Sequence, residues 1–90
     1  MSARPPLVYA TAAAVEQARR VLPAGACIER EVARLALCGR VSRFRSDGQR
    51  THGTPDRWAN GDGWSARVTR SVGRLDPSRS AWLVVEIVRR

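Results

Sequence analysis

The chain has 90 residues, of which 43% are apolar, and this length is typical of one small folded domain. Sixteen arginines against eight acidic residues give a net charge of +8 at neutral pH. The apolar runs are too short for a membrane-spanning helix. Two cysteines are too few for a disulfide scaffold, and one histidine with two distant cysteines does not make a zinc site.

The positive charge is concentrated in the C-terminal half of the chain. Residues 1–39 hold five arginines and three acids, a net +2, whereas residues 40–90 hold eleven arginines and five acids, a net +6. Clustered positive charge of this kind is typical of proteins that bind nucleic acid. The N-terminal residues lack the apolar core of a signal peptide, so we expect a cytoplasmic protein that does not associate with membranes.

The predicted elements begin with a short N-terminal arm, residues 1–10, in which 7–10 can form a strand. Thr11 is the predicted N-cap of a first helix over residues 12–22. A second helix is predicted over residues 26–38, and Gly39 is the glycine expected to end it. Apolar residues repeat on one face of each helix, so both helices are expected to pack on a sheet. Cys27 and Cys38 are expected to be small buried residues of this layer.

The remaining residues predict strands. Residues 40–45 and 64–72 alternate in polarity, and the segment 57–59 is expected to form a hairpin with 64–66 across the turn Asn60-Gly61-Asp62-Gly63. Residues 81–89 are apolar on both sides apart from Glu86, which favours a central strand. The sequence therefore predicts an α+β fold in which two N-terminal helices pack on one face of a three- to four-stranded, mainly antiparallel sheet. Residues 11–90 form this single domain.

The alternation of residues in the strands predicts two different sheet faces. The side covered by the helices is expected to carry apolar residues, namely Phe44, Val68, Leu83, Val85 and Ile87. Arg70 is the charged exception on the face of Val68. The opposite side is expected to be a basic surface with a hydroxyl group, formed by Arg43, Arg45, Arg67, Thr69 and Glu86.

Arginine supplies charge-assisted hydrogen bonds to phosphate oxygens, and tryptophan supplies a ring on which bases stack. The predicted nucleic-acid-binding residues are Arg43, Arg45, Arg50, Arg57, Arg70 and Trp58. The alternative for each of the three tryptophans is core packing. A domain this small needs large residues inside, so at least two of the three are expected to be in the core.

His52, the only histidine, lies between Arg50 and Arg57 in a segment without apolar periodicity. A neutral imidazole can take a proton from a ribose 2′-hydroxyl, and nearby arginines can stabilise the charge that develops on the phosphate. The alternative is an exposed histidine without a catalytic role. Glu86 is either a general base or the partner of an arginine such as Arg67.

The order of helices followed by an antiparallel sheet, with "LALCGRVSR" leading into the first long strand, resembles the barnase–EndoU–colicin–RelE superfamily of small bacterial ribonuclease toxins. The resemblance covers residues 11–90 at the level of layout. It implies a RelE-like, metal-independent endoribonuclease that needs no cofactor and is inhibited by a cognate antitoxin. The residues that it implies for catalysis are His52, Arg67 and Thr69, together with Glu86.

Three functions are compatible with these features. The first is a small basic protein that binds RNA or DNA, with toxin-like endoribonuclease activity as its catalytic form. The second is a non-catalytic accessory or inhibitor protein, encoded by a phage or mobile element, that binds nucleic acid or a nucleic-acid-handling enzyme. The third is an obligate dimer whose arginine face meets an acidic protein.

Overall fold

The computed structural model describes residues 7–45, 56–72 and 80–89. The elements in chain order are β1 (Leu7–Ala10), α1 (Ala12–Val21), α2 (Ile28–Leu37), β2 (Val41–Ser42), β3 (Arg57–Asn60), β4 (Trp64–Val72) and β5 (Ser80–Arg89). The strands form one sheet in the order β1-β5-β4-β3-β2. The α+β class and the central place of the last strand are confirmed. The sheet is larger than predicted and mixed, because β1 pairs with β5 in parallel.

Local signals set the ends of both helices. The Thr11 hydroxyl accepts a hydrogen bond from the backbone N–H of Ala14 at 3.1 Å, which confirms the predicted N-cap of α1. Gly39 has a φ of +71° after α2, and the backbone N–H of Arg40 reaches back to the carbonyl of Leu35 at 2.8 Å. Neither helix in the part of the chain that the structure describes is long and apolar enough to cross a membrane.

The two cysteines are exposed, and the prediction that they are buried is wrong. Cys27 and Cys38 are the residues that flank α2, which spans ten residues rather than the thirteen predicted. Because they lie at the two ends of the helix, neither occupies the apolar face that Ile28, Val32 and Leu35 bury against the sheet.

Both helices pack on the same face of the sheet. α1 contacts β5, whereas α2 contacts β1 and β3. Buried residues from both layers form one core, which contains Ala14, Ala18, Leu22, Ile28, Val32, Leu35, Ala59, Trp64, Ala66, Val68, Val84 and Ile87. Residues of a strand alternate between the two faces, and paired residues share a face. The register therefore defines a helix-free face that carries Trp58, Arg67, Thr69, Leu83 and Glu86.

Three polar contacts fix α1 along β5. The backbone N–H of Thr11 donates to the carbonyl of Val84 at 3.1 Å, and the backbone N–H of Ile87 donates to Oε1 of Gln17 at 2.8 Å. Further along, Nη2 of Arg89 donates to the carbonyl of Arg20 at 2.6 Å. The C-terminal end of α1 therefore lies beside the end of β5.

A β-bulge in β5 changes which residues face the helices. Val84 pairs with Val68, but Glu86 pairs with Arg67, so Val85 is an additional residue in this register. The strand therefore turns Val84 and Ile87 toward the helices, while Leu83 and Glu86 lie on the helix-free face. The predicted faces of Val68, Ile87 and Glu86 are confirmed. The prediction for Leu83 is wrong because simple alternation does not include the bulge.

The first strand after α2 is shorter than predicted. Only Val41–Ser42 is a strand, and Phe44 forms a single β-bridge. The Ser42 hydroxyl accepts a hydrogen bond from the backbone N–H of Phe44 at 3.2 Å and donates to the carbonyl of Phe44 at 3.0 Å. Such a local bond competes with strand pairing. As a result Phe44 is 53% exposed and does not join the core as predicted, while Val41 packs against the core instead.

Candidate nucleic-acid interface

Arg67 lies on the helix-free face between two carboxylates. Its Nε and Nη2 are each 2.6 Å from Oδ2 of Asp56, which is buried, and its Nη1 is 4.0 Å from Oε2 of Glu86. The short bonds to Asp56 are charge-assisted and fix the orientation of the guanidinium group. One cation between two anions leaves a local charge of about −1. Arg67 by itself is therefore a weaker phosphate contact than an arginine with fewer acidic neighbours.

The structure brings together three of the four residues predicted for catalysis. Arg67 and Thr69 are alternate residues of β4, and Glu86 is the partner of Arg67 in β5. The ion pair between Glu86 and Arg67, one of the two interpretations of Glu86, is observed at 4.0 Å. The Glu86 side chain is 47% exposed, so its carboxylate is accessible to solvent.

The fourth residue predicted for catalysis, His52, lies outside the described residues, as does Arg50. The segment that contains them joins the described chain at Arg45 and Asp56. Asp56, the first described residue after them, is bonded to Arg67 on the helix-free face.

Two arginines lie over tryptophan rings. Cζ of Arg45 is 5.2 Å from the ring centroid of Trp58, and Cζ of Arg70 is 5.9 Å from that of Trp82. Both distances are within the range of cation–π attraction. Because the guanidinium groups are held over rings, less side-chain freedom remains to be lost when they bind an anion.

The three tryptophans differ in exposure. Trp58 is 7% exposed and Trp64 is 5% exposed, which confirms that two of the three belong to the interior. Nε1 of Trp58 is buried without an acceptor among the described residues. Trp82 packs against the core but keeps part of its surface accessible. For stacking on a base, Trp82 is therefore better placed than Trp58, the tryptophan that the sequence favours.

Four arginines lie near one end of the sheet, where β2 and β4 end and β3 and β5 begin. Arg57 opens β3 opposite Val68, and Arg43 follows Ser42, the partner of Trp58. Arg70 is paired with Trp82 near the start of β5. We call this group, Arg43, Arg45, Arg57 and Arg70, the basic end of the sheet.

The arginines of the basic end are not confined to one face. Arg45 lies over Trp58 on the helix-free face, whereas Arg70 lies on the same face as Val68 and the helices. The expected basic surface is thus an end of the sheet rather than one side of it. At the end of a sheet, side chains from both faces lie close together. The alternation of residues along a strand therefore does not by itself predict this grouping.

Asp56 is a residue of the site that reasoning from the sequence missed. It precedes β3, and only the pairing of Trp58 with Arg67 brings its carboxylate to the guanidinium group. Trp82 is one of the three tryptophans considered for stacking, but the sequence favours Trp58, and only the pairing of β4 with β5 places Trp82 under Arg70. In both cases the signal is the register between two strands, which a single sequence does not provide.

No protein-family model, curated protein or solved structure matches this chain. Across residues 7–45, 56–72 and 80–89, no three His, Cys, Asp or Glu side chains are grouped so that they could hold a metal ion.

Proposed function

We propose that this protein binds nucleic acid, with RNA as the expected ligand, through the basic end of its sheet. The observation that carries this proposal is the grouping of Arg43, Arg45, Arg57 and Arg70 at the ends of adjacent strands. Neutralising phosphates with arginines releases counterions, and this release supplies most of the affinity of non-specific binding. The net charge of +8 supports the same ligand class.

The salt dependence of binding tests this proposal. Affinity for a labelled RNA of about 12 nucleotides should fall steeply between about 50 and 200 mM salt. Arg43→Gln and Arg45→Gln should each reduce the slope of log K against log salt by about one. Arg19→Gln is the matched control: it removes the same charge from α1, where Arg19 forms an exposed pair with Glu16 at 3.7 Å.

Two results would contradict the proposal. One is the absence of binding at about 50 mM salt, where phosphate contacts are strongest. The other is an equal change of slope in Arg19→Gln and Arg43→Gln, because binding would then follow net charge and not the basic end. Weak binding together with a melting temperature that rises with protein concentration would instead favour the dimer with an acidic partner.

Endoribonuclease activity is a second candidate, and the neighbourhood of Glu86 favours it. An exposed carboxylate 4.0 Å from a guanidinium, with Thr69 on the same face, places a proton acceptor beside a cation. Metal-independent cleavage of RNA needs a base for the 2′-hydroxyl and a positive group for the phosphate. In this proposal Glu86 or His52 is the base, Arg67 contacts the phosphate, and the RelE-like toxins are the class that the layout resembles.

A non-catalytic role has support from the same residues. Asp56 and Glu86 together carry more charge than Arg67, and both pair with it, as they would in a purely structural ion-pair network. In that case the basic end acts alone, as the binding surface of an accessory or inhibitor protein. A cognate antitoxin belongs to the ribonuclease candidate only, because such inhibitors block toxic activity.

A further inference from the structure

We infer that the basic end is built for single-stranded nucleic acid, and that the indole ring of Trp82 with the guanidinium group of Arg70 forms its stacking platform. This inference depends on the proposed function and goes further by naming the form of the ligand. Trp82 pairs with Arg70 across β4 and β5, and Cζ of Arg70 lies 5.9 Å from the ring centroid.

The exposure of these two side chains distinguishes them from the other tryptophans. Arg70 is exposed, and Trp82 keeps accessible surface while its remaining surface packs against the core. Trp58 and Trp64 are nine-tenths buried or more and offer little ring surface. A base that stacks at the basic end would therefore contact Trp82 or the guanidinium plane of Arg70, since arginine also stacks on bases.

Unpaired bases are the partners that such a platform fits. In a duplex each base face is covered by the neighbouring base pairs, so an aromatic side chain gains nothing from stacking unless the bases are unpaired. Double-stranded RNA is recognised mostly by its shape and through contacts to its 2′-hydroxyl groups and phosphates, and these contacts do not use an accessible aromatic ring. The pair of Trp82 and Arg70 therefore favours unpaired bases.

The experiment compares two RNA probes that carry about the same number of phosphates, an unpaired oligouridylate of about 12 nucleotides and a blunt-ended duplex without a loop. At about 100 mM salt, the unpaired probe should bind on the order of ten-fold more tightly. Trp82→Leu should remove this preference, while Trp82→Phe should retain most of it because phenylalanine also stacks.

A second pair of variants tests the stacking platform without changing Trp82, so the test does not depend on whether Trp82→Leu folds. Arg70→Lys keeps the charge but removes the planar group, whereas Arg70→Gln removes both. Arg70→Lys should therefore lose part of the preference for the unpaired probe and keep its affinity for the duplex. Arg19→Gln should leave the preference unchanged.

Different results would contradict the proposed function and the single-strand inference. Salt-dependent binding of equal strength to both probes, unaffected by Trp82→Phe and Arg70→Lys, would overturn the single-strand inference while leaving the proposed function intact. No binding to either probe at about 50 mM salt would overturn both. A loss of the preference in Arg70→Lys with unchanged duplex affinity would support the platform.

Discussion

Asp56 and Arg67 join the beginning of β3 to the middle of β4 through two bonds of 2.6 Å to one carboxylate oxygen. The carboxylate is buried and the guanidinium is partly exposed, so the pair is less screened by solvent than a surface ion pair. Glu86 lies further away, at 4.0 Å, with a half-exposed side chain. Of the two acids, Asp56 should therefore contribute more to stability.

Asp56→Asn preserves the size of the side chain and removes its charge. We expect the free energy of unfolding to fall by about 1–3 kcal/mol, because hydrogen bonds to a buried charged group are lost or weakened. Glu86→Gln should cost less than about 1 kcal/mol, as exposed pairs do. Urea denaturation of both variants measures the difference. Equal losses would mean that Asp56 contributes no more than an exposed ion pair.

At the scale of elements, several hydrogen bonds hold the hairpin between β3 and β4. Asn60 pairs with Ser65, and the backbone N–H of Gly61 donates to the carbonyl of Trp64 at 2.9 Å. The Ser65 hydroxyl donates to Oδ1 of Asn60 at 3.0 Å, while Nδ2 of Asn60 donates to the carbonyl of Phe44, also at 3.0 Å. The turn thus also holds the segment that follows β2.

Gly61 is required by packing. A methyl group at this position would overlap the indole ring of Trp64, which is 5% exposed and cannot move without disturbing the core. Gly61→Ala should therefore lower the free energy of unfolding by about 1–3 kcal/mol, as overpacking does. It should also change the tryptophan fluorescence spectrum, because the ring is displaced.

Gly63→Ala is the matched control in the same turn. Gly63 has a φ of +79°, and no described atom lies within 4 Å of the added methyl group. Its replacement should cost about 1 kcal/mol through backbone strain alone and leave the fluorescence spectrum unchanged. If Gly61→Ala also left the spectrum unchanged, the close packing of Trp64 on this turn would be contradicted.

At the scale of the whole molecule, β1, β3 and β5 all begin at the same end of the sheet, since Leu7 pairs with Ala81 and β1 is parallel to β5. Residues 1–6, 46–55 and 73–79 lie outside the described residues. They contain Arg4, Arg50, Arg74 and Arg79, and His52 belongs to the second of these segments.

The endoribonuclease candidate makes a prediction about the whole molecule. Purified protein incubated with total RNA in EDTA should give cleavage products that gel electrophoresis resolves. His52→Ala should abolish them, and Glu86→Gln should reduce the rate by on the order of 10²-fold if Glu86 transfers a proton. Arg19→Gln should cleave as the parent does.

The outcomes separate catalysis from binding. Unchanged cleavage in His52→Ala would remove this histidine from the mechanism. RNA that is bound with steep salt dependence but never cut would exclude the ribonuclease and favour the accessory or inhibitor protein.

The sequence by itself determined the local features of this protein. Thr11 and Gly39 bound the helices, and Asn60-Gly61-Asp62-Gly63 forms the predicted turn, because capping and turn formation depend on neighbouring residues. The α+β class and the central last strand also followed from apolar patterns along short segments.

Only the tertiary structure decided how distant segments meet. The parallel pairing of β1 with β5, the bulge at Val85 and the bond between Asp56 and Arg67 all depend on strand register. The same is true of the stack of Arg70 on Trp82, the pair on which the single-strand inference depends. A one-residue shift in register moves every later side chain to the other face, and no local pattern in one sequence specifies that shift.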